Sequence, residues 1–417
     1  MESRYVISDT YKKQLLDLTC DLVRIPTINF PPDGNEKAGQ EYLKKYLKDM
    51  GLIIDEFSPA DLPEYPDNPE FLKRNFEGRN DILAVWKGTG GGKSLLLTGH
   101  MDVVPIEPLP WTVTQPFEPL VRDGRLYGRG SADMKGGLAC AVTAIKMLKE
   151  SGFVPKGDII FESVVDEEYA DSNGTIASRL KGNNTDYAVL LEFSGLKVNP
   201  ACLGGLIFKI TVKGEAGMPF TGTKIENPAV GIAEIIKLLV EYTEKRIKET
   251  PVPELWKNAA QGLQTIITKV KAGEAYESGQ LSVPIDAWLE VVLQSYPGEA
   301  ADDLEAALKE FLFARFSCPG ALHIEREYHY CRPGYSDPDH PGTRLLAECA
   351  GRYTEHAEIC GSLASCDLFA LNEIGGMNAA IFGPVGDHVH APDEWMDIES
   401  VNICAQSLAD FIVEWCG

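Results

Sequence analysis

The sequence predicts an α/β protein: a mostly parallel sheet sandwiched by helices, with an inserted ferredoxin-like α+β domain. Three observations carry that prediction. Short apolar strands alternate with amphipathic helices up to Leu191, the pattern of a helix-covered parallel sheet. A strand–helix–strand–strand–helix–strand run follows Gly204, the order of a small ferredoxin-like unit. Beyond it the strand–helix alternation resumes. At 417 residues the chain exceeds one ordinary core, so two domains are expected. The division read from these patterns is 1–203 with 316–417 for the larger domain and 204–315 for the insert.

Residues 9–24 fit an amphipathic helix with Asp9 as its cap and Leu15, Leu18, Leu22 and Val23 on one side. Pro26 ends it. Residues 36–50 read as a second helix stopped by Gly51. Leu52 to Ile54 is a short strand, and 58–80, rich in Pro, Asp and Asn, reads as an excursion over the surface. Strands are expected at 81–86, 95–98, 158–165 and 187–191, with helical runs at 138–148 and 176–180. In the insert, strands fall at 206–213, 265–270, 287–293 and 322–327, and helices at 228–248 and 301–313. The C-terminal part adds helices at 343–353 and 401–415 around a strand at 379–382.

A net charge of −23 disfavours nucleic acids and anionic membrane surfaces, which need a basic face. No apolar run is long enough to span a membrane. Met1 to Arg4 lack a signal-peptide core. Ten cysteines without CxxC spacing read as reduced thiols of a cytoplasmic protein.

The chemistry gathers at strand ends. Leu95-Leu96-Leu97-Thr98 runs into Gly99-His100-Met101-Asp102, and Gly128-Arg129-Gly130-Ser131 turns tightly before Asp133. Asp166-Glu167-Glu168 and Glu192 end two further strands, and a late glycine turn leads to His388 and His390. Singly, each is most simply a solvated cap or a loop histidine. Together they place imidazoles and carboxylates on one sheet edge, where open α/β sheets carry their sites, in a donor set suited to zinc.

These blocks resemble the metallopeptidase and deacylase family of acetylornithine deacetylase, succinyl-diaminopimelate desuccinylase, aminoacylase and carboxypeptidase G. The carrying motifs are Gly99 to Pro105, Tyr127 to Gly137, Trp111 with Pro116-Phe117, Glu167-Glu168, Glu192, and His390 before Pro392-Asp393-Glu394. The resemblance implies one or two divalent metal ions sharing Asp133, zinc first, with manganese or cobalt as alternatives. His100 and Glu192 would complete one site, and Glu168 and His390 the other. Asp102 would orient its neighbours, and Glu167 would act as general base on a metal-bridging water. The insert would be a lid and dimerisation domain, giving a homodimer. The apolar helix face of Ile232, Ile235, Ile236 and Leu239 fits that expectation.

The sequence departs from the family in the insert. No histidine lies between His100 and His323, so the lid histidine that stabilises the oxyanion is missing from the Met218 region. Leu281 and Gln294 stand where the family tends to carry Asn and Arg, and Phe193 follows Glu192 where Pro is common. Three accounts are open: another donor such as Arg326 or Arg332, an unusual substrate, or binding without hydrolysis. The intact Glu167 argues against the last. The expected function is a metal-dependent hydrolase of an amide-type C–N bond in a small molecule. One alternative is an aminohydrolase of a non-peptide, aromatic C–N bond; another is a non-hydrolytic metal-binding sensor or scaffold. With Met218, Phe220, Leu281 and Gln294 near the substrate, none able to hold a full negative charge, a more apolar or aromatic substrate is expected over acetylornithine or succinyl-diaminopimelate.

Overall fold

The computed structural model describes residues 5–65, 67–168, 173–215, 222, 226–272 and 283–417. Met218, Phe220 and Leu281 lie outside them. The chain forms two compact units, Met1–Cys202 with Gly334–Gly417, and Leu203–Pro333. The insert therefore runs past the expected limit at residue 315. Its last strand, Leu322–Cys331, pairs antiparallel with Gly204–Lys213, covering an edge that the first strand would otherwise leave open.

The larger unit is built on an eight-stranded sheet. At its centre Leu95–His100 lies parallel to both Ile159–Val164 and Tyr187–Leu190. Every residue of Leu95–His100 is buried, as expected for a strand covered on both faces. Ala379–Ile381 extends the parallel set beside Tyr187–Leu190. The sheet is less parallel than expected. Ile53–Phe57 and Asp81–Trp86 pair antiparallel, and Asp81–Trp86 is antiparallel to Ile159–Val164. The first pair has no crossover helix between its strands, and parallel neighbours need one. Two strands not anticipated, Val198–Cys202 and Ile359–Ser362, close the other side.

Helices Gly136–Glu150 and Ile398–Cys416 share one core with Asp9–Arg24 and the sheet. The cap of Asp9–Arg24 is Ser8, one residue before the expected Asp9. Gly137 is required by its surroundings: an added Cβ would lie 1.9 Å from the Leu191 carbonyl oxygen. The excursion at 58–80 is more than a surface loop. Leu62 and Phe71 pack with Phe57 and Ile176, and Arg79 is buried.

A separate small sheet joins Leu120–Arg122, Arg125–Tyr127, Trp395–Asp397 and Gly386–Asp387. Trp395 pairs with Tyr127 and Met396 with Leu126. This ribbon flanks both the Gly128–Asp133 turn and the His390 loop.

The smaller unit is a four-stranded antiparallel sheet in the order Thr265–Ala272, Asp286–Ser295, Gly204–Lys213, Leu322–Cys331. That is the ferredoxin-like arrangement. Burial alternates along Asp286–Ser295, as in a sheet with one covered face. Helices Pro228–Glu249 and Ala301–Arg315 share its core. Ile232, Ile235 and Leu239 are buried in that core, so the helix face expected to serve pairing packs inside its own unit.

Candidate metal centre

Three adjacent parallel strands deliver the site from their C-terminal ends. His100 closes the central strand, Glu192 follows Tyr187–Leu190, and Glu167 and Glu168 follow Ile159–Val164. Asp133 arrives from the glycine turn and His390 from the loop before Trp395. All six expected residues are brought together.

The Asp133 carboxylate lies between the two imidazoles. Its Oδ1 is 3.1 Å from His100 Nε2, and its Oδ2 is 3.2 Å from His390 Nε2. His100 Nε2 also faces Glu192 Oε1 at 3.2 Å, and His390 Nε2 faces Glu168 Oε2 at 2.9 Å. Glu167 Oε2 stands further off, 3.7 Å from His100 Nε2. His100 Nδ1 is 3.0 Å from the Asp102 carbonyl oxygen. A carbonyl can only accept, so Nδ1 carries a proton and a neutral His100 turns the Nε2 lone pair toward the carboxylates. That arrangement repels itself unless a cation or a further proton sits between the groups.

The electrostatics agree. Burial, reinforced by the Asp133 charge, pushes Glu168 and Glu192 up to about 7. Burial also raises Glu167 well above the usual carboxylate range, against the pull of His100. Burial would lower His390, but its bonds to Asp133 and Glu168 raise it to about 11. Asp133 is pushed up by burial yet held well down by the two imidazoles. A divalent cation would relieve this crowding, and the nitrogen and oxygen donors suit one. Donor atoms of His100, Glu167 and Glu192, and of His100, Asp133 and Glu168, lie within 4.8 Å of one another. The residues fit a metal.

Neighbouring groups hold the ligands still. Asp102 Oδ2 accepts from the backbone N–H groups of Glu167 and Glu168, both at 3.0 Å, and from Asn29 Nδ2 at 2.8 Å. Nothing in the local pattern around Glu394 foretold its role. Its buried carboxylate accepts from Arg129 Nη1 at 2.8 Å and from the N–H groups of Gly130, Ala132 and Asp133. It pins the turn that presents Asp133. Lys135, buried and pushed down to about 7 by that burial, donates to the Leu22 and Ile25 carbonyls at 2.9 and 2.8 Å, closing the end of helix Asp9–Arg24. His390 has φ 59 and Asp393 φ 60, left-handed backbone that non-glycine residues adopt only when held. Asp393 accepts from the N–H groups of Thr112 and Val113 at 2.8 and 2.9 Å. His388 takes no part in the cluster; its ring faces the Pro392 carbonyl.

The cluster opens on a cavity of about 240 Å³. Phe193, Cys366, Ile381 and Val389 line it beside the acidic groups. Among the described lining residues there is no Lys or Arg. Arg326 is paired with Asp302 and Glu305 of its own unit at 2.9 and 3.2 Å. Gln294 Oε1 accepts from the Gln264 N–H at 2.9 Å.

Asp133→Asn and His390→Ala are expected to lower metal content measured by elemental analysis. Glu394→Ala is expected to do the same and to cost about 3–5 kcal/mol in denaturant unfolding, since it removes one of the two carboxylates paired with the buried Arg129 guanidinium and the acceptor of three backbone N–H groups. Unchanged metal content in all three variants would break the ligand assignment.

Residues 96–414 match the model of peptidase family M20/M25/M40. An N-formyl-4-amino-5-aminomethyl-2-methylpyrimidine deformylase from Bacillus subtilis is 25% identical over 98% of this chain and 96% of its own length. A probable succinyl-diaminopimelate desuccinylase from Staphylococcus aureus is 27% identical over 93% of each chain. Among solved structures, a di-peptidase of Saccharomyces cerevisiae aligns with a TM-score of 0.78 at 14% identity, covering 98% of this chain and 97% of that one. A dinuclear metal-binding peptidase of Bacillus subtilis aligns at 0.66 and 18%, covering 98% and 99%. With the family model spanning most of the sequence and the motif residues converging on one sheet edge, this chain belongs to peptidase family M20/M25/M40.

Proposed function

We propose that this metal-dependent amidohydrolase cleaves the amide-type C–N bond of a small N-acyl amine whose amine side is apolar or aromatic. The observation that carries the reading is the Asp133 carboxylate, one oxygen toward each imidazole, with Glu167 further from His100 than Asp133 or Glu192 is. His100, Asp133 and Glu192 would hold one divalent cation, and Asp133, Glu168 and His390 a second. Zinc suits the donors, as do manganese and cobalt. Bound there, the cations supply Lewis acidity toward water and the substrate carbonyl.

Glu167 takes a proton from the attacking water. The resulting hydroxyl adds to the carbonyl carbon. Glu167 then gives the proton to the nitrogen as the C–N bond breaks, releasing the amine and a carboxylic acid. A carboxylate that serves as a ligand cannot move protons freely, so a neighbouring carboxylate outside the ligand set suits the role. Asp102 holds the Glu167 backbone in place for both transfers.

The substrate reading rests on the cavity. Phe193, Ile381 and Val389 offer apolar contact, and no described lining residue is a Lys or Arg that could pair with a substrate carboxylate. Leaving such a carboxylate unpaired is costly. One relative is named for deformylating a pyrimidine derivative, which agrees. The insert is read as the lid and as the pairing surface of a homodimer. Its edge strand Thr265–Ala272 exposes Ile266 and Val270, and helix Pro228–Glu249 exposes Val240 and Ile247. The ten free cysteines fit a cytoplasmic setting. No helix among the described residues is long and apolar enough to cross a membrane.

Glu167→Gln should keep its metal and lose turnover by roughly 10²- to 10⁴-fold; near-normal turnover would remove Glu167 from the base role. In side-by-side kinetics, N-formyl and N-acetyl aromatic amines should outrun acetylornithine and succinyl-diaminopimelate. Turnover of either amino acid derivative at about 10⁴ M⁻¹s⁻¹ or better would refute the substrate reading. Light scattering at micromolar protein should give twice the 45.7 kDa chain mass; a monomer alone would refute the dimer.

A further inference from the structure

Between the strand end at Val164 and the base sits Asp166, which the mechanism above does not use. Asp166 is fully buried and is absent from the cavity wall. Its φ is 64, a left-handed backbone that costs a non-glycine residue about 1–3 kcal/mol and survives only where the surroundings impose it.

The surroundings do impose it. Oδ1 accepts from Arg79 Nη2 at 2.8 Å and from Asn29 Nδ2 at 3.2 Å, and Oδ2 accepts from Asn173 Nδ2 at 2.7 Å. Arg74 Nε approaches Oδ2 at 3.6 Å. Asn29 uses the same amide nitrogen toward Asp102 Oδ2 at 2.8 Å, and that oxygen receives the Glu167 and Glu168 N–H groups. Arg79 is itself anchored by Glu36, its Nε 2.8 Å from Oε2. One buried network thus holds the residue before Glu167 by its side chain and Glu167 by its own amide. Three separate segments feed it: the hairpin at Asn29, the 58–80 excursion, and helix Asn173–Leu180.

We propose that Asp166, clamped by Arg79 and Asn29, is the positioning residue that aims the Glu167 carboxylate. The proposal rests on Glu167 being the base. Release of the clamp lets the 165–167 backbone relax and swings Glu167 off line, while His100, Asp133, Glu192 and His390 keep their own strands and loops and Glu168 keeps its contact with His390. Misplacement by about 1 Å costs on the order of 10²-fold in rate.

The test uses metal-loaded Asp166→Gly, Asp166→Asn and Asn29→Ala, with metal content, kcat and KM measured for each. Glycine tolerates the left-handed backbone but loses every side-chain bond; asparagine tolerates it and keeps an acceptor. Asp166→Gly and Asn29→Ala should keep metal content and KM within about twofold while kcat falls roughly 10- to 100-fold. Asp166→Asn should recover most of that loss. Should Asp166→Gly fail to fold, Asn29→Ala decides. Parental kcat in the variants that fold overturns the proposal, and so does a fall in kcat matched by lost metal. Glu167→Gln run in parallel separates the two readings. If it is inactive while Asp166→Gly is normal, only the positioning role fails. If it is active, the base assignment fails first.

Discussion

The structure depends on one carboxylate meeting two imidazoles. Asp133 can face both His100 and His390 only because three chain segments far apart in sequence are brought to one point. His100 is held at the end of a fully buried parallel strand. Asp133 stands on a glycine turn, and His390 on a loop whose backbone is itself forced. Burial pushes several carboxyls up together, so the cluster takes up either protons or a cation. The site is therefore a demand for positive charge built into the fold, and metal binding is coupled to the integrity of the sheet edge.

What secures that edge is a second layer of buried carboxylates that touch no ligand atom directly. Glu394 gathers four donors around the Asp133 turn, and Asp102 gathers three around the Glu167–Glu168 step. Each works as an acceptor for backbone N–H groups that a tight turn leaves without partners. The short ribbon between Arg125–Tyr127 and Trp395–Asp397 serves the same end, fixing the Asp133 turn and the His390 loop to each other.

Much of this was legible in the sequence, for a physical reason. His100, Asp133, Glu167, Glu168, Glu192 and His390 each follow an apolar strand or a glycine turn, and such local patterns survive in one dimension. The central strands were read almost to the residue because burial on both faces leaves continuous apolar runs. Glu394 and Arg79 were not legible as supports, because their partners lie far away in sequence: Arg129 is 265 positions from Glu394, and Asp166 is 87 from Arg79. Strands of two or three residues, such as Gly386–Asp387 and Trp395–Asp397, leave no periodicity to read. The apolar face of helix Pro228–Glu249 was legible as apolar, but composition alone does not say whether its own sheet or a second chain covers it. Here Ile232, Ile235 and Leu239 are covered from within.

The two crossings into the insert leave the larger unit side by side. The Cys202 N–H donates to the Gly334 carbonyl at 3.1 Å, and the Gly334 N–H is 3.2 Å from Cys202 Sγ. These are the last and first residues of the larger unit's two segments. The larger unit thus presents a closed seam, and the 131-residue span Leu203–Pro333 hangs from it as a cassette. Chains with adjoining ends are the ones in which whole domains are inserted or exchanged. Selection can therefore rewrite the insert while the hydrogen bond between Cys202 and Gly334 keeps the larger unit closed. The sheet edge that carries the acidic cluster and the inserted unit are free to evolve at different rates.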